Sequence, residues 1–342
     1  MKPEVDGLRL PEFPSLEWLH SPPLRVAQLK GRAVLVTFWD YASVHCLRVL
    51  PYLRAWHERY TALGLTVVAI HAPEFPFAQN RERVIRAASE LDIPYAVALD
   101  PDFLAWQAFR NHFWPSTYLF DATGALRYYH FGEGDYEACE RAIQACLGDI
   151  HPDQPWPELL LPFRPEDRPG AEFLRATPQI NLGVERGRIA NADAARVGET
   201  SRLALPGRRD PDLVYAEGAW RHELAHLESS EAAPAALHVR YTAVEVNVVA
   251  QAPDGETIEV EIGQDGLPLV DVDRGEDARV ANSSATYVAI SEPRLYRLVR
   301  NHVYATRDLR LAVDRPGLRL YALTFVSGAP PPAGADVRES LR

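Results

Sequence analysis

Methionine occurs once in the 342 residues, at position 1, lysine only at Lys2 and Lys30, and cysteine only at Cys46, Cys139 and Cys146. Three cysteines cannot all pair, and so few in a chain this long do not make a disulfide scaffold. Cys139 and Cys146 fall in a segment with helical spacing. Two helical turns would set them roughly 10 Å apart, beyond disulfide reach. With so little lysine, arginine carries nearly all the positive charge, and the formal net charge is −11. That balance excludes nucleic acid and anionic membrane surfaces as expected partners, because both call for a basic face. No apolar run approaches the length of a membrane-spanning helix. Met1 to Leu10 is charged and lacks the apolar stretch of a signal peptide. The expected address is therefore cytoplasmic, with no membrane insertion. No Gly-rich phosphate loop is present, and no cofactor is expected.

What is present suffices for two domains: 47% of the residues are hydrophobic, enough for two cores. Ala33 to Trp39 is a nearly continuous apolar run, as in a buried parallel strand. Helical spacing follows from Ser43 to about Tyr60, with Ser43 placed to cap the helix. Leu65–Ile70 and Tyr95–Leu99 read as strands, and 80–91 and Phe103–Phe109 as helices. A hairpin over Thr117–Phe120 and Leu126–His130 and a closing helix over Tyr136–Leu147 complete an α/β domain of residues 1–150. Residues 151–176 are proline-rich, which suits an extended linker or a strap across a surface. Over 177–328 the pattern becomes one of short alternating segments: Leu237–Tyr241, Val244–Ala250, Thr257–Ile262, Tyr287–Ile290, Leu309–Val313 and Leu318–Val326. That spacing predicts a β-sandwich. Residues 329–342 are expected to be a disordered tail.

The stretch Trp39-Asp40-Tyr41-Ala42-Ser43-Val44-His45-Cys46, with Pro51 five residues on, follows the first buried strand and opens the first long helix. It resembles the W-x-x-x-C-x-x-C site of thioredoxin-like redoxins, which implies a thioredoxin fold and thiol–disulfide oxidoreductase chemistry. In that resemblance Trp39 matches the tryptophan, Cys46 the second cysteine and Pro51 the helix-kinking proline. Pro115, in Trp114-Pro115-Ser116, matches the cis proline that shapes the substrate groove. Leu16-Glu-Trp-Leu19, His71-Ala-Pro-Glu-Phe75 and His130-Phe-Gly-Glu-Gly134 extend the likeness to the redoxin domains of DipZ-type and NHL-repeat proteins. Thr177-Pro178 and Glu292-Pro-Arg-Leu-Tyr296 carry a weaker likeness to the carbohydrate-binding-like sandwich that follows the redoxin in DipZ-type proteins. The implied partners are a thiol or disulfide protein, a small thiol or a peroxide, with a carbohydrate or protein ligand for the sandwich.

Two departures cast doubt on the implied chemistry. The nucleophile position holds Ser43, whose hydroxyl cannot form a mixed disulfide. Thr37 stands where relatives often carry a buried carboxylate, and Asp40 and Glu74 are the nearby candidates to replace it. Three readings of Cys46 stay open. It is a buried structural thiol in a non-catalytic binding module, a reactive monothiol activated by the helix dipole, or a peroxidatic cysteine with Ser43 three residues before it. Elsewhere His222-Glu223-Leu224-Ala225-His226 matches H-E-x-x-H, which binds zinc when helical. The surrounding β pattern predicts a strand instead, and no obvious third ligand follows, so no metal is assigned. Trp106, Phe109, Phe113 and Trp114 read as core and cleft wall.

Overall fold

The structure is a computed structural model that describes residues 7–171, 174–192 and 195–328. Contacts divide the chain into two units at Pro169/Gly170. The first unit runs β1 (Glu17–Leu19), α1 (Val26–Leu29), β2 (Ala33–Trp39), α2 (Val44–Tyr60), β3 (Leu65–His71), α3 (Arg81–Glu90), β4 (Ala96–Leu99), α4 (Leu104–Ala108), β5 (Ser116–Phe120), β6 (Leu126–Phe131) and α5 (Tyr136–Gly148). Its six-stranded sheet has the order β1-β4-β3-β2-β5-β6. β2, β3 and β4 are parallel neighbours, and β5 joins β2 antiparallel. This is the thioredoxin fold.

Every residue of β2 and β5 is buried, which is why β2 reads as a nearly continuous apolar run. One face packs Val34, Val36, Phe38, Val68 and Ile70 against Phe109, Tyr118 and Phe120. On α2 the buried positions Cys46, Val49, Leu50, Leu53, Trp56 and Tyr60 recur at helical spacing. Pro51 lies within that helix and has no N–H for the Leu47 carbonyl. On α5, Cys139 and Cys146 are both buried, and all three cysteines are free thiols.

Residues 151–169 group with this first unit, and the proline-rich segment is strapped along α2 and α5. The buried Glu140 carboxylate accepts the Leu160 N–H at 2.8 Å and the Tyr60 hydroxyl at 2.7 Å. The Tyr52 hydroxyl donates to Asp167 at 2.7 Å and accepts the Phe163 N–H at 2.9 Å.

The second unit is a β-sandwich. It runs β7 (Ile180–Asn181), β8 (Thr200–Leu203), β9 (Val214–His222), β10 (Leu227–Ser229), β11 (Ala235–Gln251), β12 (Ile258–Gln264), β13 (Leu267–Pro268), β14 (Ala278–Val280), β15 (Thr286–Ile290), β16 (Arg294–Val313) and β17 (Arg319–Val326). The separate segments expected at Leu237–Tyr241 and Val244–Ala250 are one 17-residue strand, β11. Its register with β16 shifts at Ala243/Glu245. Residues 236–239 pair with β9, and residues 245–251 pair with β17. The irregularity thus marks where the neighbour of β11 opposite β16 changes from β9 to β17. β16 extends over Arg294–Val313, well before the expected Leu309. The polar run Arg300-Asn301-His302 interrupts the alternation that would have revealed it. One core gathers Trp220, Leu237, Tyr241, Val248, Ile262, Tyr296, Leu311 and Leu323. The tail expected over 329–342 lies outside the described residues. Among the described residues no helix is long and apolar enough to cross a membrane.

Candidate active site

β2 delivers the motif and α2 receives it. Trp39 ends β2 fully buried, and its carbonyl accepts the Ala72 N–H at 3.1 Å. Asp40 then turns inward. Its two carboxylate oxygens accept the Ala42 and Glu74 N–H groups, each at 2.6 Å. One buried side chain therefore fastens the 40–43 loop to the 72–75 loop. The Trp114 indole N–H donates to the Ala72 carbonyl at 2.8 Å, and its ring lies tilted against Trp106 with centroids 4.1 Å apart. The Trp114–Pro115 peptide bond is cis. Pro115 is buried, and its carbonyl accepts the Gly132 N–H at 2.8 Å. The fold thus brings Trp39, Ser43, Cys46, Glu74, Trp114 and Pro115 to one end of the sheet.

Ser43 holds the N-cap position with extended backbone, φ −99° and ψ 118°, yet its side chain accepts no main-chain N–H. The expected helix cap is not made, because the hydroxyl is turned to the Cys46 sulfur. Cys46 is 1% exposed. Burial pushes its thiol well above the ordinary range. The Ser43 hydroxyl and the Asp40 backbone oppose that, while the Asp40 and Glu74 carboxylates reinforce it. The sulfur sits in the first turn of α2, where the helix dipole favours a thiolate, but desolvation prevails. Thr37 is buried, with no partner for its hydroxyl among the described residues.

Apart from His45, the neighbours next to the motif were not expected from the sequence. His45 Nδ1 lies 2.9 Å from Glu133, Arg48 lies 3.3 Å from it and Arg164 of the strap 3.7 Å. Burial raises the Glu133 carboxyl, but His45, Arg48 and Arg164 together hold it below the usual range. His71 ends β3, edge-on to Trp39 at 5.2 Å and stacked on Tyr41 at 5.6 Å. Burial pushes its imidazole down to about 3. Glu133 and Arg164 are remote from the motif in sequence, so no spacing rule could have joined them to it.

The H-E-x-x-H match falls on the β9–β10 hairpin and not on a helix. His222 ends β9 and pairs with Leu227, while the Glu223 N–H donates to the His226 carbonyl at 3.0 Å. Burial lowers the pKa of both histidines. Among the described residues no three His, Cys, Asp or Glu side chains are grouped to hold a metal.

Residues 8–129 match the AhpC/TSA family, and residues 177–325 match the thioredoxin-like C-terminal domain family. Protein DipZ of Mycobacterium tuberculosis is 28% identical over 313 residues, covering 90% of this chain and 41% of DipZ. Thiol-disulfide oxidoreductase YkuV of Bacillus subtilis is 26% identical over 132 residues, 39% of this chain and 88% of YkuV. Protein SUPPRESSOR OF QUENCHING 1 of Arabidopsis thaliana is 31% identical over 140 residues, 40% of this chain and 13% of that protein. The chain thus spans about two fifths of the length of DipZ.

Proposed function

The first unit is a thioredoxin-like redoxin domain and the second a thioredoxin-like C-terminal domain, and from that premise we propose a thiol-partner binding protein without dithiol exchange. Disulfide exchange requires attack by one thiolate and resolution by a second. Position 43 offers a hydroxyl, and the sulfur at position 46 is buried and held protonated. The single observation that carries the reading is this pairing of a serine at the nucleophile position with an inaccessible Cys46. What remains is the surface around Trp114 and Pro115, where the resemblance places a substrate groove, and a thiol or disulfide protein is the ligand it implies. The monothiol and peroxidatic readings both need an exposed, ionised sulfur, and the burial of Cys46 weighs against them.

The test is thiol accessibility. Native protein treated with iodoacetamide, and separately with mild peroxide plus a sulfenate trap, is expected to keep its unmodified mass. Cys46 should become alkylated only after unfolding. A rapid adduct mapped to Cys46 in the native protein would establish monothiol chemistry instead.

A further inference from the structure

The second unit carries a cleft of about 510 Å³ whose polar lining includes Arg175, Asp212, Arg240, Thr242, Tyr304 and Thr306. Its floor is the outer face of the β11–β16 pair. Arg240 lies opposite Asp308 and Thr242 opposite Thr306, and side chains two residues apart on a strand share a face. Tyr241 and Ala243 point the other way, into the core. The volume is that of a small-molecule site. The one carboxylate in the lining is already engaged. Asp212 accepts the buried Thr177 hydroxyl on one oxygen and Arg175, at 3.3 Å, on the other. The donors are not all engaged. The Arg240 side chain is half exposed, and its nearest carboxylate, Asp308, stands 4.0 Å from Nε, too far for a hydrogen bond. Asp308 is also 3.9 Å from Arg209. A guanidinium offers five N–H donors, and among the described residues those of Arg240 make no hydrogen bond. The Thr242 and Thr306 hydroxyls lie 2.8 Å apart. One proton is shared between them, so the other remains to be donated. Two guanidiniums against one carboxylate leave the lining net positive, in a chain whose formal net charge is −11.

We propose that this cleft binds a small polyhydroxy carboxylate, its carboxylate on the Arg240 guanidinium and its hydroxyls on the Thr242–Thr306 pair. The planar fork of an arginine matches a carboxylate in two parallel hydrogen bonds. Arg175, largely exposed at the same cleft, adds a second positive charge. A neutral polyol would leave the Arg240 charge unanswered. An aliphatic acid would set an apolar stem against hydroxyls and guanidiniums. An ammonium guest would meet two cations and a carboxylate already taken by Thr177 and Arg175. The site lies wholly in the second unit, so it stands independently of the reading of Cys46.

The experiment is a titration of the full chain at constant ionic strength with gluconate, sorbitol and hexanoate, three six-carbon chains that carry charge and hydroxyls, hydroxyls alone and charge alone. Calorimetry and ¹H–¹⁵N spectra follow the binding. Gluconate should bind saturably and at least about tenfold more tightly than either of the others. Its amide shifts should centre on residues 240–242 and 304–308, the floor of the cleft. Arg240→Gln should weaken gluconate about three- to tenfold and leave sorbitol unchanged. Thr306→Val, at an exposed strand position, should weaken gluconate about three- to tenfold and leave hexanoate unchanged. No saturable binding up to about 100 mM, hexanoate or sorbitol equal to gluconate, shifts centred elsewhere, or gluconate affinity untouched by Arg240→Gln would each overturn the assignment. If a variant fails to fold, the three ligands and the shift map of the unaltered protein still decide.

Discussion

Ser43 stands at the start of α2 with its hydroxyl turned to the Cys46 sulfur and away from the main-chain N–H groups a cap would satisfy. If only the nucleophile has been lost, Ser43→Cys should form a disulfide with Cys46 under mild oxidation and reduce insulin above the wild-type background. Failure of both would show that the missing acid at position 37 also matters. His71 gives a second prediction at this scale. An unfolded imidazole titrates near about 6.5, whereas burial puts the folded one at about 3. Between those values acid protonates the unfolded chain and not the folded one. The stability carried by the neutral ring is thus fully present above about pH 6.5 and lost as pH falls towards about 3, amounting to roughly 3 kcal/mol by pH 4. NMR of the ring checks it: His71 should show no protonation above about pH 4, and a midpoint near neutrality would refute the assignment.

At the scale of elements, the proline-rich segment 151–169 is held by side chains and not by strand or helix ladders. Tyr52 is its main anchor. Its ring stacks on Tyr136 at 3.7 Å and meets Phe163 at 4.7 Å, while its hydroxyl serves both Asp167 and Phe163. Tyr52→Phe keeps the stack but leaves the Phe163 N–H and the Asp167 carboxylate without this partner. The expected loss is about 1–3 kcal/mol, with limited proteolysis newly cutting between 158 and 169. Unchanged stability and an uncut strap would mean that the hydroxyl does not anchor it. From β2 onward the helices and strands of the first unit lie within a residue or two of where periodicity puts them, because the sheet interior imposes an apolar run and each helix an apolar stripe; β1 and α1, three and four residues long, are too short to show a period and were not expected. In the second unit the bulged β11 and the polar stretch of β16 break the period of two, and pattern reading lost them there.

At the scale of the whole molecule, each unit has its own core, one around Phe38, Phe109 and Tyr118 and the other around Trp220, Tyr241 and Tyr296. Fragments 1–169 and 170–342 are each expected to unfold cooperatively when expressed alone, as followed by circular dichroism during heating. A first fragment that melts without cooperativity would show that the boundary is misplaced or that the units fold as one. Cutting at 150 instead should destabilise the first fragment, because Glu140 and Tyr52 would lose their strap partners.

By itself the sequence determined the succession of α/β and β-rich units and the placing of Trp39, Ser43, Cys46 and Pro51 in one short stretch at the start of the first long helix. These are local facts: burial period, residue identity and short spacing survive without coordinates. Only the tertiary structure decided that Ser43 faces sulfur and makes no cap, that Asp40 clamps two loops, that Glu133 and Arg164 reach His45 and Arg48, and that His222-Glu223-Leu224-Ala225-His226 is a hairpin. The Asp40 clamp and the Glu133 cluster depend on groups distant in the chain meeting in a low-dielectric interior, and the turn of Ser43 depends on the burial of Cys46 there. There desolvation and the few available partners set the proton affinity and orientation of a side chain, and no spacing along the chain records them.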